Sequence, residues 1–195
     1  MIYTVKEIFK TLQGEGQHTG RPALFVRFAG CNLACHWCDT DFIGGTKFDR
    51  EQLLAEMQTI WRLNQPQGRF CVLTGGEPLL QLDDGLIDAL LKAHWRIAVE
   101  TNGTIKAPKR IMHLTVSPKA DAPVEQHQAD ELKFVYPQDG MTPEDAIKEV
   151  AAPLNYLQPM DGPNKAENTK AAIEYCFEYP WWRLSLQTHK LLGLR

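Results

Sequence analysis

The sequence lacks the features of a membrane protein, a disulfide scaffold or a nucleic-acid-binding protein. No apolar run approaches the length that spans a bilayer, and the first residues lack the layout of a signal peptide. Lys and Arg (21) nearly balance Asp and Glu (24), so the whole chain has no basic footprint. Five cysteines are too few for a disulfide framework. We therefore expect a cytoplasmic protein with reduced cysteines and no direct contact with membrane or nucleic acid.

A hydrophobic fraction of 44% in 195 residues is enough for a real core and excludes disorder over most of the chain. The length suits one domain, and we expect it to span 1–195. Asp49 is a candidate N-cap for a helix with apolar residues at helical spacing. Further helices are predicted over about 82–94, from Pro143 onward and over 164–178. The strand candidates are 24–28, 70–73, 97–99, 114–116, 132–136, 156–157 and 184–186.

Two connections in the middle of the chain do not suit a regular crossover helix. Residues 102–112 are too few, and residues 118–130 are polar without an apolar stripe. Parallel strands normally need a connection of about a dozen residues, usually a helix. Because strands alternate with helices elsewhere, the sequence predicts an α/β fold. We expect an incomplete, partly open (β/α) barrel whose central crossover helices are missing.

Three of the five cysteines lie in one short loop. Cys31, Cys35 and Cys38 have the spacing C-x3-C-x2-C and directly follow the strand candidate 24–28. Thiolates are soft ligands that favour iron–sulfur clusters or zinc. Three cysteines around a four-iron cluster would leave one iron without a protein ligand, and an open coordination position is where a metal site does chemistry. The loop therefore indicates a reactive iron–sulfur cluster.

Three alternatives compete with this interpretation. A disulfide pair with one free thiol does not suit a reducing compartment. A zinc site needs four ligands, and His36, next to Cys35, would make a cramped fourth one. Unconnected buried cysteines do not explain the tight spacing, although they do explain Cys71, in a strand candidate, and Cys176, on a predicted helix.

Polar segments also follow three predicted strands, at the ends where α/β barrels build their sites. In the first, Gly75 and Gly76 let the backbone approach a ligand, and Glu77 offers an acceptor for an ammonium group. Taken alone, this segment can be a tight turn and the other two can be ordinary polar loops. Those two are Ser117-Pro118-Lys119 and Gln158-Pro159-Met160-Asp161, whose Asp161 is a candidate acceptor for ribose hydroxyls.

Together, the cysteine loop and the segment Thr74-Gly75-Gly76-Glu77-Pro78 resemble the signature of the radical S-adenosylmethionine (SAM) superfamily. The resemblance implies a 4Fe-4S cluster on the three cysteines, with SAM chelating the open iron through its amino and carboxylate groups. One electron then cleaves the sulfonium and gives a 5′-deoxyadenosyl radical. The residues implied in SAM binding are Trp37, Gly76, Glu77, Ser117, Pro118, Lys119, Gln158, Pro159, Met160 and Asp161. Trp37 would pack near the adenine, shield the cluster from water, or do both.

A second, more specific resemblance covers nearly the whole chain. The chain is similar to 7-carboxy-7-deazaguanine synthases, and the joint occurrence of Leu-Gln-Gly-Glu-Gly with the cysteine loop is specific. Some members have a long insertion between the first two cysteines, whereas this chain has the short spacing. The matching segments are 7–16, 20–22, 25–28, 37–40, 74–78, 100–103, 117–119 and 186–190.

This family resemblance implies a lyase reaction. The Mg²⁺-dependent enzyme converts 6-carboxy-5,6,7,8-tetrahydropterin to 7-carboxy-7-deazaguanine with loss of ammonia, on the route to 7-deazapurines such as queuosine. The radical removes hydrogen at C6, the ring contracts, and hydrogen returns from 5′-deoxyadenosine, so SAM acts catalytically. Because a primary carbon radical abstracts hydrogen without a protein base, we assign no general acid or base. The implied partners are a second copy, as a homodimer, and an electron donor such as flavodoxin or ferredoxin.

The same resemblance assigns residues to magnesium and substrate. By this resemblance Thr40, two places after the last cluster cysteine, corresponds to the magnesium ligand, and its hydroxyl is a hard oxygen donor that suits Mg²⁺. It can also simply cap a turn. Arg27 can hold the substrate carboxylate in a two-pronged bond, or it can face solvent. The remaining substrate-binding candidates are Leu12, Gln13, Gly14, Glu15, Thr74, His189 and the chain-end Arg195.

Two other functions fit parts of the sequence. A radical SAM activase that places a glycyl radical on a partner protein shares the cysteine loop. Such an enzyme is not expected to carry Leu-Gln-Gly-Glu-Gly or the late Gln-Thr-His segment, and it would not turn over the small pterin without a partner. A zinc-dependent binding module would use the cysteines structurally and would be colourless, whereas an iron–sulfur protein is brown.

Overall fold

One mixed sheet of nine strands organises the computed structural model, which describes residues 1–62 and 68–195. The sheet order is β3-β1-β2-β4-β5-β6-β7-β8-β9. β1 pairs antiparallel with both β2 and β3, and all pairs from β2 to β9 are parallel. The strands are β1 (Tyr3–Leu12), β2 (Pro22–Phe28), β3 (Thr46–Phe48), β4 (Phe70–Gly75), β5 (Arg96–Thr101), β6 (His113–Val116), β7 (Glu131–Tyr136), β8 (Leu154–Pro159) and β9 (Trp182–Leu184).

In the described part of the chain, five helices accompany the sheet, and local sequence explains where two of them begin. Asp49 and Gln52 form a reciprocal capping box at α1, and Thr142 with Asp145 forms another at α3, where Pro143 is the first helical residue. Short 3₁₀ turns lie at Gly16–His18 and Pro78–Leu80. The helices are α1 (Arg50–Trp61), α2 (Asp84–Lys92), α3 (Pro143–Glu149), α4 (Lys165–Glu178) and α5 (Thr188–Leu191).

The predicted open barrel is confirmed. No helix connects β5 to β6 or β6 to β7, and both connections lie entirely within the described residues. β3 and β9 are the sheet edges, so the sheet does not close on itself. β1 and β3 were not expected, and several boundaries differ; for example, the last strand is Trp182–Leu184 rather than 184–186, and α2 is Asp84–Lys92 rather than about 82–94. Leu82 and Trp182 are both buried, so packing rather than apolar pattern sets these limits.

The hydrophobic core lies between the sheet and its helices. Leu53, Met57, Ile87 and Leu90 from α1 and α2 are fully buried in it. Burial of aliphatic side chains of this size stabilises the fold by about 1.5–3 kcal/mol each. Cys71 is also fully buried, and Cys176 packs against the same core, as expected for core thiols. Among the described helices, none is long and apolar enough to cross a membrane.

Candidate active site

A cavity of about 550 Å³ opens where the parallel strands end. This volume is typical of small-molecule sites. Cys31, Cys35 and Cys38 all line it, together with Trp37 and Thr40 from the same loop. All three cysteines are free thiols. The loop after β2 therefore brings the predicted cluster ligands to the place where α/β barrels carry their chemistry.

Backbone contacts hold the cysteine loop in place. The Cys38 amide donates to the Cys35 carbonyl (3.1 Å), and the Gly30 amide donates to the Phe42 carbonyl (3.0 Å). Burial raises the pKa of the Cys31 thiol. Among the described residues, no group of three His, Cys, Asp or Glu side chains is placed to hold a single metal ion. In an iron–sulfur cluster each thiolate binds a different iron, so its sulfurs need not converge on one point.

The Gly75–Gly76 turn after β4 presses directly against this loop. The Glu77 amide donates to the Gly30 carbonyl (2.9 Å). A Cβ atom on Gly76 would stand 2.7 Å from Cβ of Cys31, and closer still to the Gly30 carbonyl oxygen. Gly75 has φ +148°, a conformation that favours glycine. The two glycines therefore set the distance between the turn and the cysteines.

Glu77 itself is fully buried and faces inward. Its carboxylate accepts hydrogen bonds from the Leu79 amide (2.9 Å), the Thr101 hydroxyl (2.8 Å) and the Asn102 amide (2.8 Å). Burial raises the pKa of this carboxyl, although these hydrogen bonds act in the opposite direction. In the structure, Glu77 ties the glycine turn to the end of β5 and does not line the cavity.

Replacing Gly76 by alanine is expected to push the turn away from the cysteine loop. Overpacking of this kind costs about 1–3 kcal/mol, so SAM affinity should fall by about tenfold or more. Equilibrium binding of SAM to the reconstituted protein measures the effect. Gly85→Ala is the matched control, because its Cβ meets only the flexible end of Arg50 and the Asp83 side chain. Equal SAM affinity in the two variants would contradict the assigned role of Gly76.

A lysine and a tryptophan form one wall beside the cysteines. The Lys119 ammonium donates to the carbonyl (2.5 Å) and the hydroxyl (2.8 Å) of Ser117. It lies 5.4 Å from the centre of the Trp37 ring. Burial lowers the pKa of Lys119 to about 8. Because β6 ends at Val116, the strand end delivers this cation and hydroxyl to the cavity.

The deepest part of the cavity contains a buried ion-pair network. Lys133, on β7, is 5% exposed and lies 2.5 Å from Glu15 and 3.1 Å from Glu100. Burial would lower the pKa of Lys133, but Glu100, Glu15 and Glu131 together raise it. Burial would likewise raise the pKa of Glu15, which Lys133 holds below its ordinary value. Lys133 therefore carries a permanent positive charge between two carboxylates.

Gln13 completes this network from the loop after β1. Its amide nitrogen donates to Glu100 (2.8 Å), and its carbonyl oxygen accepts from the amides of Gly14 (2.8 Å) and Glu15 (3.2 Å). A Cβ atom at position 14 would overlap the ring of His189, so the glycine leaves the space that this ring occupies. The 13–15 loop is thus fixed both to the barrel interior and to α5.

Two arginines share one carboxylate on the opposite wall. Nε of Arg27, on β2, lies 2.8 Å from Glu7, and Nη2 of Arg195 lies 2.7 Å from the other oxygen of Glu7. The Arg195 guanidinium also lies over the Phe9 ring at 5.2 Å. The period-two alternation of β2 left the direction of Arg27 open, and the structure points it into the cavity. Only its Nε is engaged by Glu7, so its terminal nitrogens can meet an anion.

The rim beside Thr40 is a small charged cluster. Lys190 on α5 bridges Asp39 (2.6 Å) and Asp161 (2.5 Å), and Gln187 donates to Asp39 (3.1 Å). Burial alone would raise the pKa of Asp39, but the hydrogen bonds from Lys190 and Gln187 hold it below its usual range. The bonds from Lys190 lower the pKa of Asp161 to about 2. α5 is therefore fastened across the mouth of the cavity.

The structure brings most of the predicted site residues together. Besides the three cysteines, the residues that line the cavity are Leu12, Gln13, Glu15, Arg27, Trp37, Thr40, Thr74, Gly76, Ser117, Lys119, Gln158, His189 and Arg195. The predicted residues outside the cavity wall are Gly14, Glu77, Pro118, Pro159, Met160 and Asp161. The lining residues that were not predicted include six charged or amide side chains: Glu7, Asp39, Glu100, Lys133, Gln187 and Lys190. All of these except Lys133 lay within matching segments, which was the available signal for them, whereas Lys133 lay in none.

The family model of the radical SAM superfamily matches residues 25–123, which include the cysteine loop and the glycine turn. Together with the open barrel and its site, this match defines the chain as a radical SAM enzyme. Membership implies a 4Fe-4S cluster and SAM, and the three free thiols beside a close-packed glycine turn suit both.

Relatives that align with the whole chain identify the family within this superfamily. The 7-carboxy-7-deazaguanine synthases of Caulobacter vibrioides and Bacteroides thetaiotaomicron are 50% and 40% identical, and each alignment covers 100% of both chains. The crystal structure of QueE from Escherichia coli matches with a TM-score of 0.77 at 28% identity, covering 95% of this chain and 94% of that one. This chain belongs to the 7-carboxy-7-deazaguanine synthase family.

Proposed function

We propose that this enzyme converts 6-carboxy-5,6,7,8-tetrahydropterin to 7-carboxy-7-deazaguanine with loss of ammonia, in a Mg²⁺-dependent reaction that leads to 7-deazapurines such as queuosine. The observation that carries the proposal is a single cavity holding both the cysteine loop and a buried array of charges. That array suits a small polar substrate, whereas an enzyme acting on a partner protein needs an open docking face. Full-length similarity to named synthases supports the same reaction.

Cys31, Cys35 and Cys38 would hold the cluster in this proposal, and the Gly75–Gly76 turn would seat SAM beside it. When bound, this pair supplies a carbon radical that starts the reaction. The protein's own task is to orient the substrate and keep other hydrogen donors away. Lys119 and Trp37 would close one side of the SAM site, and Gln158 at the end of β8 would provide a further polar contact.

The substrate would lie between the two charged walls. Arg27 would bind its carboxylate through the terminal nitrogens that Glu7 leaves available. The carboxylates of Glu15 and Glu100 would accept hydrogen bonds from the amino and ring N–H groups of the pterin. Lys133 pairs with both carboxylates and fixes their positions, so they can act as acceptors inside the cavity. Thr74, His189 and Arg195 also line this region and complete the proposed contacts.

Magnesium would bind next to the cysteine loop through Thr40. Replacing Thr40 by alanine is expected to leave the cluster intact but to raise the Mg²⁺ concentration needed for half-maximal turnover by about tenfold, since Mg²⁺ relies on few protein oxygens. Steady-state rates across a Mg²⁺ titration measure this shift, with Thr40→Ser as the variant that keeps the hydroxyl. An unchanged Mg²⁺ requirement in Thr40→Ala would contradict the assignment.

We also propose that residues 1–195 form a single radical SAM domain, because one sheet runs from Tyr3 to Leu184. The working form would be a homodimer that receives electrons from a donor such as flavodoxin or ferredoxin. A cytoplasmic location would keep the three cluster thiols reduced.

An anaerobic assay tests the proposed reaction directly. The reconstituted protein is given SAM, a reductant, Mg²⁺ and the carboxytetrahydropterin, with no partner protein, and products are read by mass spectrometry. We expect 7-carboxy-7-deazaguanine and ammonia in equal amounts, together with a brown protein. A cluster-loaded enzyme that cleaves SAM but leaves the pterin unchanged would refute the proposed substrate while preserving the superfamily.

A further inference from the structure

A second, much smaller cavity lies inside the barrel below the catalytic one. Its volume is about 10 Å³, and four of its lining residues also line the large cavity: Gln13, Glu15, Glu100 and Thr115. The other four are His18, Ala98, His113 and Glu131. His113 and Glu131 begin β6 and β7, so this space lies toward the amino-terminal end of the parallel strands. Glu15 and Glu100, the two partners of Lys133, are thus shared by the two cavities.

Two histidines and a glutamate form the lower wall of this space. The rings of His18 and His113 are 4.6 Å apart, and Nε2 of His113 lies 3.3 Å from Glu131. Glu131 also accepts a hydrogen bond from the Gln17 amide (2.9 Å). This bond fixes the 3₁₀ turn that carries His18. His113 and Glu131 are almost completely buried, whereas His18 is half-buried. The group therefore extends from the interior toward solvent.

One polar atom in this wall has no partner in the described structure. Nε2 of His18 is buried and makes no hydrogen bond there. A buried polar atom without a partner is costly, and a cavity of about 10–15 Å³ is just large enough for one water molecule. Water at this position would have several polar neighbours, including His18, Glu131 and Glu15. The space thus has the size and chemistry of an internal water site.

The proposed reaction requires protons to move. The atoms of the pterin are divided between the deazapurine and ammonia, so no oxidant or reductant is consumed overall. The nitrogen that leaves as ammonia gains hydrogens that ring carbons lose. When the C–N bond breaks, its electron pair stays with nitrogen, which takes up a proton. A proton lost from carbon leaves its electron pair in the new aromatic ring. The substrate region therefore needs a group that accepts and returns protons.

We propose that His18, His113 and Glu131, with one water molecule in the small cavity, form a proton relay. It would connect the carboxylates of Glu15 and Glu100 with the solvent at the amino-terminal end of the parallel strands. This inference rests on the proposed function. His18 and His113 are positioning residues here, since they would act through Glu15 or Glu100. The route leaves the mouth of the large cavity free for SAM and substrate.

The surrounding charges suit this role. Burial lowers the pKa of His18, and His113 and Arg21 lower it further, so His18 is neutral near pH 7 and can accept a proton. Burial would raise the pKa of Glu131, but His113 and Lys133 keep it below its ordinary value. The charged or titratable groups facing the relay are Glu15, Arg21, Arg96, Glu100 and Lys133.

His18→Ala with chemical rescue tests the relay. Because His18 is half-buried, its removal should leave a solvent-accessible space without loss of fold, which thermal melting verifies. We expect turnover to fall by at least about tenfold, below the ~10²–10⁴-fold typical of direct general acid–base groups. Added imidazole should restore activity, whereas pyrazole, which has the same shape but is not basic at neutral pH, should not. Rescue by both compounds alike would show a packing role and overturn the relay.

Two further variants sharpen the result. His113→Gln can still hydrogen-bond to Glu131 but has no basic ring nitrogen to pass a proton on, so it should also slow turnover and should enlarge the solvent deuterium effect. His127→Ala is the control, since that side chain is 60% exposed and remote from the small cavity. A normal rate in both His18→Ala and His113→Gln, with wild-type enzyme making the deazapurine, overturns the relay alone. Absence of deazapurine from wild-type enzyme overturns the proposed function as well.

Discussion

Cys31→Ala is expected to lose its iron and all turnover together. Cys31 begins the cysteine loop, lies against the glycine turn and would supply one of the three thiolates that hold the cluster. The remaining two cysteines cannot hold a site-open cluster against loss of a third ligand. Iron content, the visible absorption of the reconstituted protein and SAM cleavage should all fall to background. Because Cys31 is only half-buried, the free energy of unfolding of the apoprotein should change by less than about 1 kcal/mol.

Cys176→Ala is the matched control for this experiment. Cys176 is also a free, half-buried thiol, but it lies on α4 and packs against the core. Its replacement should leave iron content and turnover unchanged, at a cost below about 1.5 kcal/mol in stability. An iron-replete Cys31→Ala enzyme with normal turnover would refute the cluster assignment. Equal iron loss in both variants would point to misfolding instead.

The cysteine loop was predictable because its chemistry is local. Spacing alone places Cys31, Cys35 and Cys38 within one loop, and a preceding apolar run places that loop at a strand end. The same reasoning reached Gly75 and Gly76, since two glycines after a strand indicate a close approach. The missing helices were equally predictable, because a short polar connection cannot form an amphipathic helix. Each of these inferences depends on residues that are neighbours in sequence.

The buried charge network was not predictable because its contacts are long-range. Glu15 and Lys133 are 118 residues apart, and Glu100 is 33 residues from Lys133. Period-two alternation shows that Glu131, Lys133 and Val135 share one face of β7, but not that this face is the barrel interior. The direction of Arg27 was undecided for the same reason. Which strand face is buried depends on how the whole sheet curves and what covers it.

Local pattern also misjudged the ends of the chain. β1 runs for ten residues as the partner of β2 and β3, yet no strand was expected there, and its residues 7–12 entered only as part of a matching segment. The segment 184–186 looked like a strand, whereas Ser185 is buried and accepts the Gly16 amide (2.9 Å). That contact joins the last strand to the loop after β1, across the open side of the barrel. Because Trp182 is buried, the strand begins at this residue rather than at residue 184.

Lys133→Met is expected to be the most destabilising single change in the site. Methionine has similar length and fills the space, so the loss is mainly electrostatic. Glu15 and Glu100, whose side chains are 13% and 21% exposed, would lose their cation, and removal of one partner from a buried network costs about 3–5 kcal/mol. Turnover should also fall, because both carboxylates would lose their fixed positions. Urea unfolding of the apoprotein measures the stability term independently of the cluster. Lys170→Met, at an 80% exposed lysine 3.9 Å from Glu174, should cost less than about 1 kcal/mol.

The pH dependence of this variant distinguishes electrostatics from lost packing. In the native enzyme the pKa of Glu15 is lowered, so Glu15 adds stability above its unfolded pKa and loses it as pH falls through the folded value. Without Lys133, burial dominates and the pKa of Glu15 rises. The variant is then most penalised at neutral pH, where the buried carboxyl is forced to ionise, and recovers as protonation neutralises it. The stability gap between wild type and Lys133→Met should therefore narrow between pH 7 and about pH 5. If the difference in free energy of unfolding between the two proteins stays constant over this range, the packing of the lysine stem, rather than its charge, stabilises this part of the cavity.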